Sequence, residues 1–344
     1  MDKLVVFNNS DLSRFLNIRP SESKFGEHVK MLPSTCNIYE YIENLDVGYV
    51  LIGIPESIGV FANLGQQSTT HIWEATLKVL LNIQKNEFTN PEDVLILGYL
   101  NFEKELKKIN DLDLSIDKQL VKCRKIVSKI DKEVSNLVYC IKKAGKIPII
   151  IGRGHNNAYG NIKGSALALN SPINVVNLDT LTNFKPEEGR HSGNGFTYAF
   201  TEGFLKKYYV FGVHENHIPN SILKTINKLK EVSFSSYESI EVKQNTTFKK
   251  ELKHAWSFIK ELPFGIEIDC SAIEKLNEDT VTTCGFSLKK ARRFVNYFGK
   301  RKAVQYLHIC EATPTEENAL QIGKQISYLV TDFIHAHSTK KTLE

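Results

Sequence analysis

Short apolar runs rich in β-branched residues recur along this chain, and segments with helical periodicity separate them. Eight of these runs are predicted strands, at 49–54, 93–98, 146–151, 173–178, 207–213, 231–235, 264–269 and 304–309. The runs are continuously apolar rather than alternating, which indicates strands covered on both faces. Strands that alternate with helices form parallel βαβ units. The sequence therefore predicts an α/β fold with an eight-stranded, mainly parallel sheet between two layers of helices.

The longest helical pattern lies between the second and third predicted strands. Apolar residues from Leu120 to Ile141 recur at steps of three and four, as on one face of a helix. Ser115 is the predicted N-cap of this helix, and Gly145 is its predicted stop. Other helices are predicted near 70–86, 157–169, 218–229, 247–261, 287–299 and 317–335.

The chain has no linker rich in Gly, Ser or Pro that would divide it. We therefore expect a single domain over residues 1–344, in which 1–45 form an N-terminal extension and 46–338 form the core. The length and the ordinary hydrophobic content are sufficient for one large buried core.

Charge and cysteine content argue against several classes of protein. The 44 basic and 39 acidic residues give a net charge of only +5, and no basic stripe interleaves with aromatic residues, so nucleic-acid binding is not predicted. Six cysteines without a CxxC pair are typical of reduced thiols in the cytoplasm. Neither a signal peptide nor a run of membrane-spanning length is present, so we expect a cytoplasmic protein without membrane contact.

Four predicted strands are followed by residues that can bind a metal or transfer a proton. His155 follows the run 146–151 on a glycine-rich turn, and Asp179, Asp269 and Glu311 end or follow later runs. The carboxyl ends of parallel strands meet at one edge of an open sheet, which is where such folds place their chemistry. The sequence therefore predicts a site at this edge.

Two other interpretations of these strand ends are weaker. The run from Gly152 to His155 resembles the start of a dinucleotide-binding turn, but the third glycine of that motif is replaced by Asn157. Cys270 and Cys310 also lie at strand ends and suggest a thiol nucleophile. No motif places a histidine beside either cysteine, so buried, inert thiols are predicted.

Together these motifs resemble those of the arginase/ureohydrolase family, most closely its formimidoylglutamase-like branch. The resemblance rests on the His155 turn, on 177–184, on 190–195 and on 265–274, and it extends from Gly53 to Pro314. It implies the ureohydrolase fold and hydrolysis of non-peptide C–N bonds in amidines and guanidines. It also implies two manganese ions bridged by a hydroxide, because water at its normal pKa is a poor nucleophile.

The resemblance assigns six metal-ligand positions to this chain, and three of them keep a ligand. The retained ligands are His155, Asp179 and Asp269. The replaced positions are Leu181, where the family has histidine, and Asn183 and Ser271, where it has aspartate. At most one manganese ion is therefore expected, held by the three retained ligands with Asn183 as a neutral oxygen donor, and a site without metal is the alternative.

A further departure from the family motif is Arg153, which stands where the family has glycine. Its fixed positive charge is expected to oppose metal binding, or to pair with Asp179 or Asp269.

The substrate side of the motif set is better preserved. The resemblance implies that Glu311 binds the amidine or guanidinium group of the substrate through charge-assisted hydrogen bonds. Ser192 and Asn194 match the loop that binds the amino-acid end of the substrate, and Arg190 beside them is placed to receive a carboxylate. For Arg190 a solvated loop is the alternative.

Two hypotheses of function follow from this pattern. The first is a pseudoenzyme that binds a small amino-acid-like ligand, or that stabilises a partner or an active paralogue. The second is a weak formimino or guanidino hydrolase with one metal. Relatives are commonly oligomers, so a homo-oligomer or a paralogue partner is expected.

Overall fold

The computed structural model describes residues 3–33, 38–66, 71–274 and 284–338. Within this part of the chain, nine strands form one sheet in the order β1-β3-β2-β4-β9-β8-β5-β6-β7. The strands are β1 (Leu4–Val6), β2 (Tyr49–Ile54), β3 (Val94–Leu100), β4 (Ile147–Gly152), β5 (Ile173–Leu178), β6 (Leu205–Val213), β7 (Val232–Ser236), β8 (Phe264–Asp269) and β9 (Val304–Cys310).

Twelve α-helices in the described residues cover the sheet. They are α1 (Asn9–Phe15), α2 (Ile38–Asn44), α3 (Ile58–Ala62), α4 (Ile72–Leu80), α5 (Glu103–Asn110), α6 (Asp117–Lys143), α7 (Asn157–Leu169), α8 (Gly195–Thr201), α9 (Asn220–Ile226), α10 (Phe248–Ile259), α11 (Leu288–Gly299) and α12 (Ala319–Ser338). One apolar core lies between the sheet and α4, α10, α11 and α12, and a second lies between the sheet and α6–α9. The three-layer α/β prediction is confirmed.

All eight predicted strands are present, and all of them pair in parallel. The predicted strand count is wrong by one, because β1 adds an antiparallel edge strand to β3. Gly98 makes this pairing possible. Its φ is +125°, and a Cβ there would lie 2.0 Å from the carbonyl oxygen of Val5. Residues 4–6 thus belong to the sheet, although they fall in the predicted N-terminal extension.

The long helix α6 lies where the periodicity predicts it, and Gly145 follows its end with a φ of +74°. The prediction that Ser115 caps α6 is wrong. The helix begins two residues later, at Asp117, and the Ser115 hydroxyl donates instead to Asp113 Oδ1 at 2.7 Å. The short helices α1, α2, α3, α5 and α8 are not predicted, because each of them spans only five to eight residues, too few for a clear periodic pattern.

Five cysteines lie in the described residues and none of these five forms a disulfide bond, while Cys36 lies outside them. Within the same part of the chain, no helix combines the length and the apolar character needed to cross a membrane.

Glycines let α7 approach α6 closely, and this contact positions the turn that carries His155. A Cβ on Gly164 would lie 2.6 Å from the backbone oxygen of Ser135, and one on Gly160 would lie 2.6 Å from Val134 Cγ1. We expect Gly164→Ala to destabilise the fold by about 1–3 kcal/mol, because the helices must separate to admit the methyl group.

Urea unfolding of this variant tests the expectation. Gly299→Ala is the matched control, because its Cβ would lie 3.3 Å from its nearest neighbour, the side-chain atom Phe333 Cδ2, and a shift of a few tenths of an ångström would admit it. Its stability should change by less than about 1 kcal/mol. Equal effects of the two substitutions would contradict close packing at Gly164.

Candidate active site

Four adjacent strands bring the predicted residues together. The sheet order places β4, β9, β8 and β5 side by side, and the chain leaves each of them at the same edge. His155 follows β4, Asp179 follows β5, Asp269 ends β8 and Glu311 follows β9. The predicted convergence at the carboxyl ends of parallel strands is therefore what the fold produces.

His155 lies at the centre of the site and is buried. Its Nδ1 atom is 3.0 Å from Asp269 Oδ2 and 3.4 Å from Asp179 Oδ2. Burial disfavours the imidazolium, but the neighbouring acidic groups outweigh it, with Cys310 and Asp269 foremost, and raise the pKa of His155 well above its usual value. The ring thus lies among acidic groups that oppose the effect of burial on its pKa.

Protein donors surround the Asp179 carboxylate. Leu181 N donates to Oδ1 at 2.8 Å, and the side-chain amides of Asn177 and Asn183 donate to Oδ2 at 2.9 and 2.8 Å. Burial and the charge of Asp269 nevertheless raise the pKa of Asp179 well above its usual range. Asn183 adopts a left-handed backbone conformation, with φ +47°, which turns its amide inward.

The three retained ligands fit one metal position. Donor atoms of His155, Asp179 and Asp269 lie within 4.8 Å of one another, and imidazole with carboxylate oxygen is a donor set that manganese accepts. Asn183 Nδ2 lies only 3.0 Å from His155 Nδ1, so its amide must turn its oxygen inward before it can bind the same ion.

The residues at the replaced positions do not fit a second manganese ion. Leu181 has no donor atom, and 42% of its surface is exposed. Ser271 offers only a neutral hydroxyl, which lies 3.3 Å from Thr180 Oγ1. Among the described residues, the anionic donors of this group are the carboxylates of Asp179 and Asp269.

Arg153 pairs with Glu311, which corrects the prediction that it would pair with Asp179 or Asp269. The Arg153 guanidinium donates to Glu311 Oε2, and His155 N donates to Glu311 Oε1 at 2.9 Å. Burial raises the pKa of Glu311, and the charge of Arg153 opposes this. The carboxylate that resemblance gives to the substrate is thus in contact with a guanidinium of the chain itself.

Arg190 is buried, so the alternative of a solvated loop is wrong for this residue. Its guanidinium donates to both Asp131 oxygens, at 2.8 and 3.2 Å, and also to Asn194 Oδ1. The side-chain amide of Asn194 donates to the backbone oxygens of Pro186 and Gly189. These contacts give Arg190 and Asn194 a structural role in shaping the loop, while substrate binding by them and by Ser192 stays a prediction.

His191, in the same loop, is held neutral. Gly193 N donates to its Nδ1 at 3.1 Å, and its Nε2 lies 3.2 Å from Glu188 Oε1. Burial, with help from Arg124, lowers the pKa of His191 to about 4. The neutral ring stabilises the fold fully above pH 6.5, its unfolded pKa, and this contribution is lost as the pH falls toward 4.

We therefore expect acid to destabilise the protein through His191. Between pH 7 and pH 4 the wild type should lose about 3 kcal/mol more than His191→Asn, since Asn keeps the acceptor for Gly193 without titrating. Urea unfolding at several pH values measures the difference. Parallel pH profiles for the two proteins would contradict a buried neutral His191.

A second buried group lies behind the carboxylates and was not predicted. This inner cluster consists of His155, Glu267, His308 and Cys310, whose donor atoms lie within 4.8 Å of one another. It corrects the expectation that no histidine lies beside Cys310. Glu267 and His308 are register partners on β8 and β9, and their side chains are hydrogen-bonded. The sequence signal is a titratable residue within each apolar strand, Glu267 in β8 and His308 in β9.

Comparison with known families agrees with this geometry. The family model described as the arginase family matches residues 50–333, most of the chain. The chain belongs to the arginase family. The resemblance inferred from the motifs is thereby confirmed.

Curated arginase-family relatives carry the name formimidoylglutamase. That of Hahella chejuensis is 27% identical over 197 residues, which cover 54% of this chain and 53% of the relative. That of Streptococcus pyogenes serotype M3 is 23% identical over 200 residues, which cover 56% and 55%. The chain thus spans about half the length of the curated relatives it matches, and these names agree with the formimidoylglutamase-like branch.

Solved arginase-family structures share the fold over nearly the whole chain. Formimidoylglutamase from Bacillus subtilis superposes with a TM-score of 0.72 at 14% identity, covering 96% of this chain and 99% of that one. Formiminoglutamase from Trypanosoma cruzi, crystallised with Mn²⁺, gives 0.67 at 16% identity, covering 88% and 98%. At these identities the likeness establishes the fold alone.

Proposed function

We propose that this protein is an arginase-family member that has lost the binuclear manganese centre, and with it most hydrolysis of amidine C–N bonds. The observation that carries the proposal is the donor set at the replaced positions. Leu181 offers no donor atom and Ser271 only a hydroxyl, so two carboxylates would have to hold a second ion without further charge. Without a bridged hydroxide, attack on an amidine carbon lacks its nucleophile.

The ion pair between Arg153 and Glu311 supports the same proposal. An amidine or guanidinium substrate would need the Glu311 carboxylate, but the guanidinium of Arg153 already donates to it. A cationic substrate would also meet the positive charge of Arg153. The pair therefore weakens binding of the family's substrates in addition to the loss of metal chemistry.

A weak hydrolase with one metal is the second candidate. It is favoured by the three donors of His155, Asp179 and Asp269, which converge closely enough for one ion. One bound divalent ion lowers the pKa of a water ligand and so supplies some hydroxide near neutral pH. In this candidate Asn183 turns its amide oxygen toward the ion.

We also propose a small-molecule ligand and a protein partner for this chain. A small amino-acid-like ligand is the class that the Ser192 and Asn194 loop would take, and assembly with identical subunits or a paralogue is the expected quaternary state. We propose a cytoplasmic location, in keeping with the five described cysteines, which form no disulfide bond.

Manganese content, measured together with hydrolysis, tests the proposal. The full chain is stripped of metal, dialysed against excess Mn²⁺ and analysed for manganese per chain, then assayed on formimino and guanidino substrates. Less than one ion and no turnover support the first candidate. One ion with turnover that Asp179→Asn abolishes supports the second. Two ions per chain would overturn both.

A further inference from the structure

The inner cluster has a feature that the proposed function does not use. His155 Nε2 faces away from Asp179 and Asp269 and lies 3.5 Å from Glu267 Oε2. Among the described residues it has no hydrogen-bond partner, although His155 is only 1% exposed. A buried nitrogen in this position calls for a bound water or an ion, because an unsatisfied polar atom is costly inside a protein.

The other three members of the inner cluster complete a set of metal donors. Glu267 and His308 are fully buried, as is Cys310, and each offers one donor atom within 4.8 Å of the others. Two imidazoles, one carboxylate and one thiol make four donors, which is the coordination number of structural zinc sites. The thiol favours zinc over manganese, since manganese prefers oxygen ligands.

We propose that the inner cluster binds one zinc ion through His155, Glu267, His308 and Cys310. The ion would join the ends of β4, β8 and β9 behind the carboxylates. On binding, the Cys310 thiol gives up its proton to solvent and becomes the thiolate ligand.

The hydrogen bonds that neighbouring residues make to the inner cluster match those around the ligands of known zinc sites. A histidine that binds zinc usually donates its other ring N–H to a carboxylate, which fixes the ring. Here zinc on His155 Nε2 leaves Nδ1 to donate to Asp269 Oδ2 at 3.0 Å. Glu267 is held in turn by the Tyr306 hydroxyl, which donates to its Oε1 at 2.8 Å. Asp269, one of the retained family ligands, would thus serve as an outer partner of a different metal.

The spacing of the inner cluster suits a tetrahedral ion. Donors about 2.0–2.3 Å from zinc stand about 3.3–3.8 Å from one another. The 3.5 Å between His155 Nε2 and Glu267 Oε2 lies within this range. The shorter contact between His308 and Glu267 would lengthen when the ion takes the place of the proton between them, and His308 would then carry its ring proton on Nε2.

Cobalt substitution tests the proposal without any need for activity. The full chain is stripped of metal and titrated with Co²⁺, then with Zn²⁺. We expect a near-ultraviolet band of charge transfer from thiolate to cobalt, visible bands of tetrahedral intensity, and displacement of both by one zinc per chain. Cys310→Ser should abolish the charge-transfer band and lower zinc affinity at least about 100-fold, since even outer partners of zinc ligands contribute about 10–100-fold.

Cys270→Ser is the matched control, because Cys270 is equally buried beside the site but is not in the inner cluster. It should keep the band. Absence of a thiolate band in the wild type, or its persistence in Cys310→Ser, would overturn the proposal. Should Cys310→Ser not fold, the wild-type titration and Glu267→Gln decide the question. Manganese content, which tests the proposed function, is measured separately, so the two proposals can fail independently.

Discussion

Asp131→Ala is expected to lower the free energy of unfolding by about 3–5 kcal/mol, because it leaves the buried guanidinium of Arg190 without its counter-charge. Both carboxylate oxygens of Asp131 accept from Arg190, at 2.8 and 3.2 Å. The guanidinium also stacks between the rings of Tyr159 and Tyr198, at 4.9 and 5.1 Å.

Asp131→Ala should loosen the loop 190–194 as well as lower the global stability. Arg190 donates to Asn194 Oδ1 and to the backbone oxygen of Asn156, so it connects α6 to this loop and to the turn after His155. Urea unfolding measures the stability, and hydrogen exchange in 190–194 reports the local effect. Asp131 therefore acts at a distance on the predicted ligand loop.

Glu261→Ala provides the control for Asp131→Ala. Glu261 forms an ion pair with Lys207 at 2.7 Å, but its side chain is 64% exposed. An exposed pair contributes less than about 1 kcal/mol, so this variant should resemble the wild type. A cost for Asp131→Ala no larger than that for Glu261→Ala would contradict the importance of the buried pair.

The fold was largely predictable because its strands are buried on both faces. Runs such as 49–54 and 146–151 are apolar at nearly every position, and this pattern is typical of parallel strands under two helical layers. The edge strand β1 was missed because three residues, Leu4–Val6, carry too little pattern. Pairing of β1 with β3 depends on Gly98, which lies far away in the sequence.

The sequence predicts which residues at the strand ends form the candidate site. It does not predict which of them contact one another. Asp179 directly follows its strand, Asp269 is the last residue of its strand, and His155 lies on a glycine-rich turn after its strand. The ion pair of Arg153 with Glu311 depends on β4 lying beside β9, an order that the sequence does not state. The inner cluster depends likewise on the register that sets Glu267 against His308.

Restoring the replaced ligands should produce the largest gain in bound manganese. In Leu181→His combined with Ser271→Asp we expect manganese to rise by one ion per chain, because an imidazole and a carboxylate then face the position bounded by Asp179 and Asp269. The side chain at 271 already points toward Thr180, next to Leu181, as its 3.3 Å contact indicates. Free Mn²⁺ at about 100 times its dissociation constant should then stabilise the variant by about 2.7 kcal/mol relative to its metal-free form.

A matched control separates the new ligands from a general change in polarity. Leu181→Gln combined with Ser271→Asn has similar size but adds neither an imidazole nor a negative charge, so its manganese content should remain that of the wild type. Adding Arg153→Gly to the restored variant frees the Glu311 carboxylate, and formimino or guanidino turnover should appear at this step. If neither restored variant gains manganese, the scaffold itself has changed beyond these positions, and Asn183, whose amide nitrogen lies 3.0 Å from His155 Nδ1, is then the residue that blocks the ion.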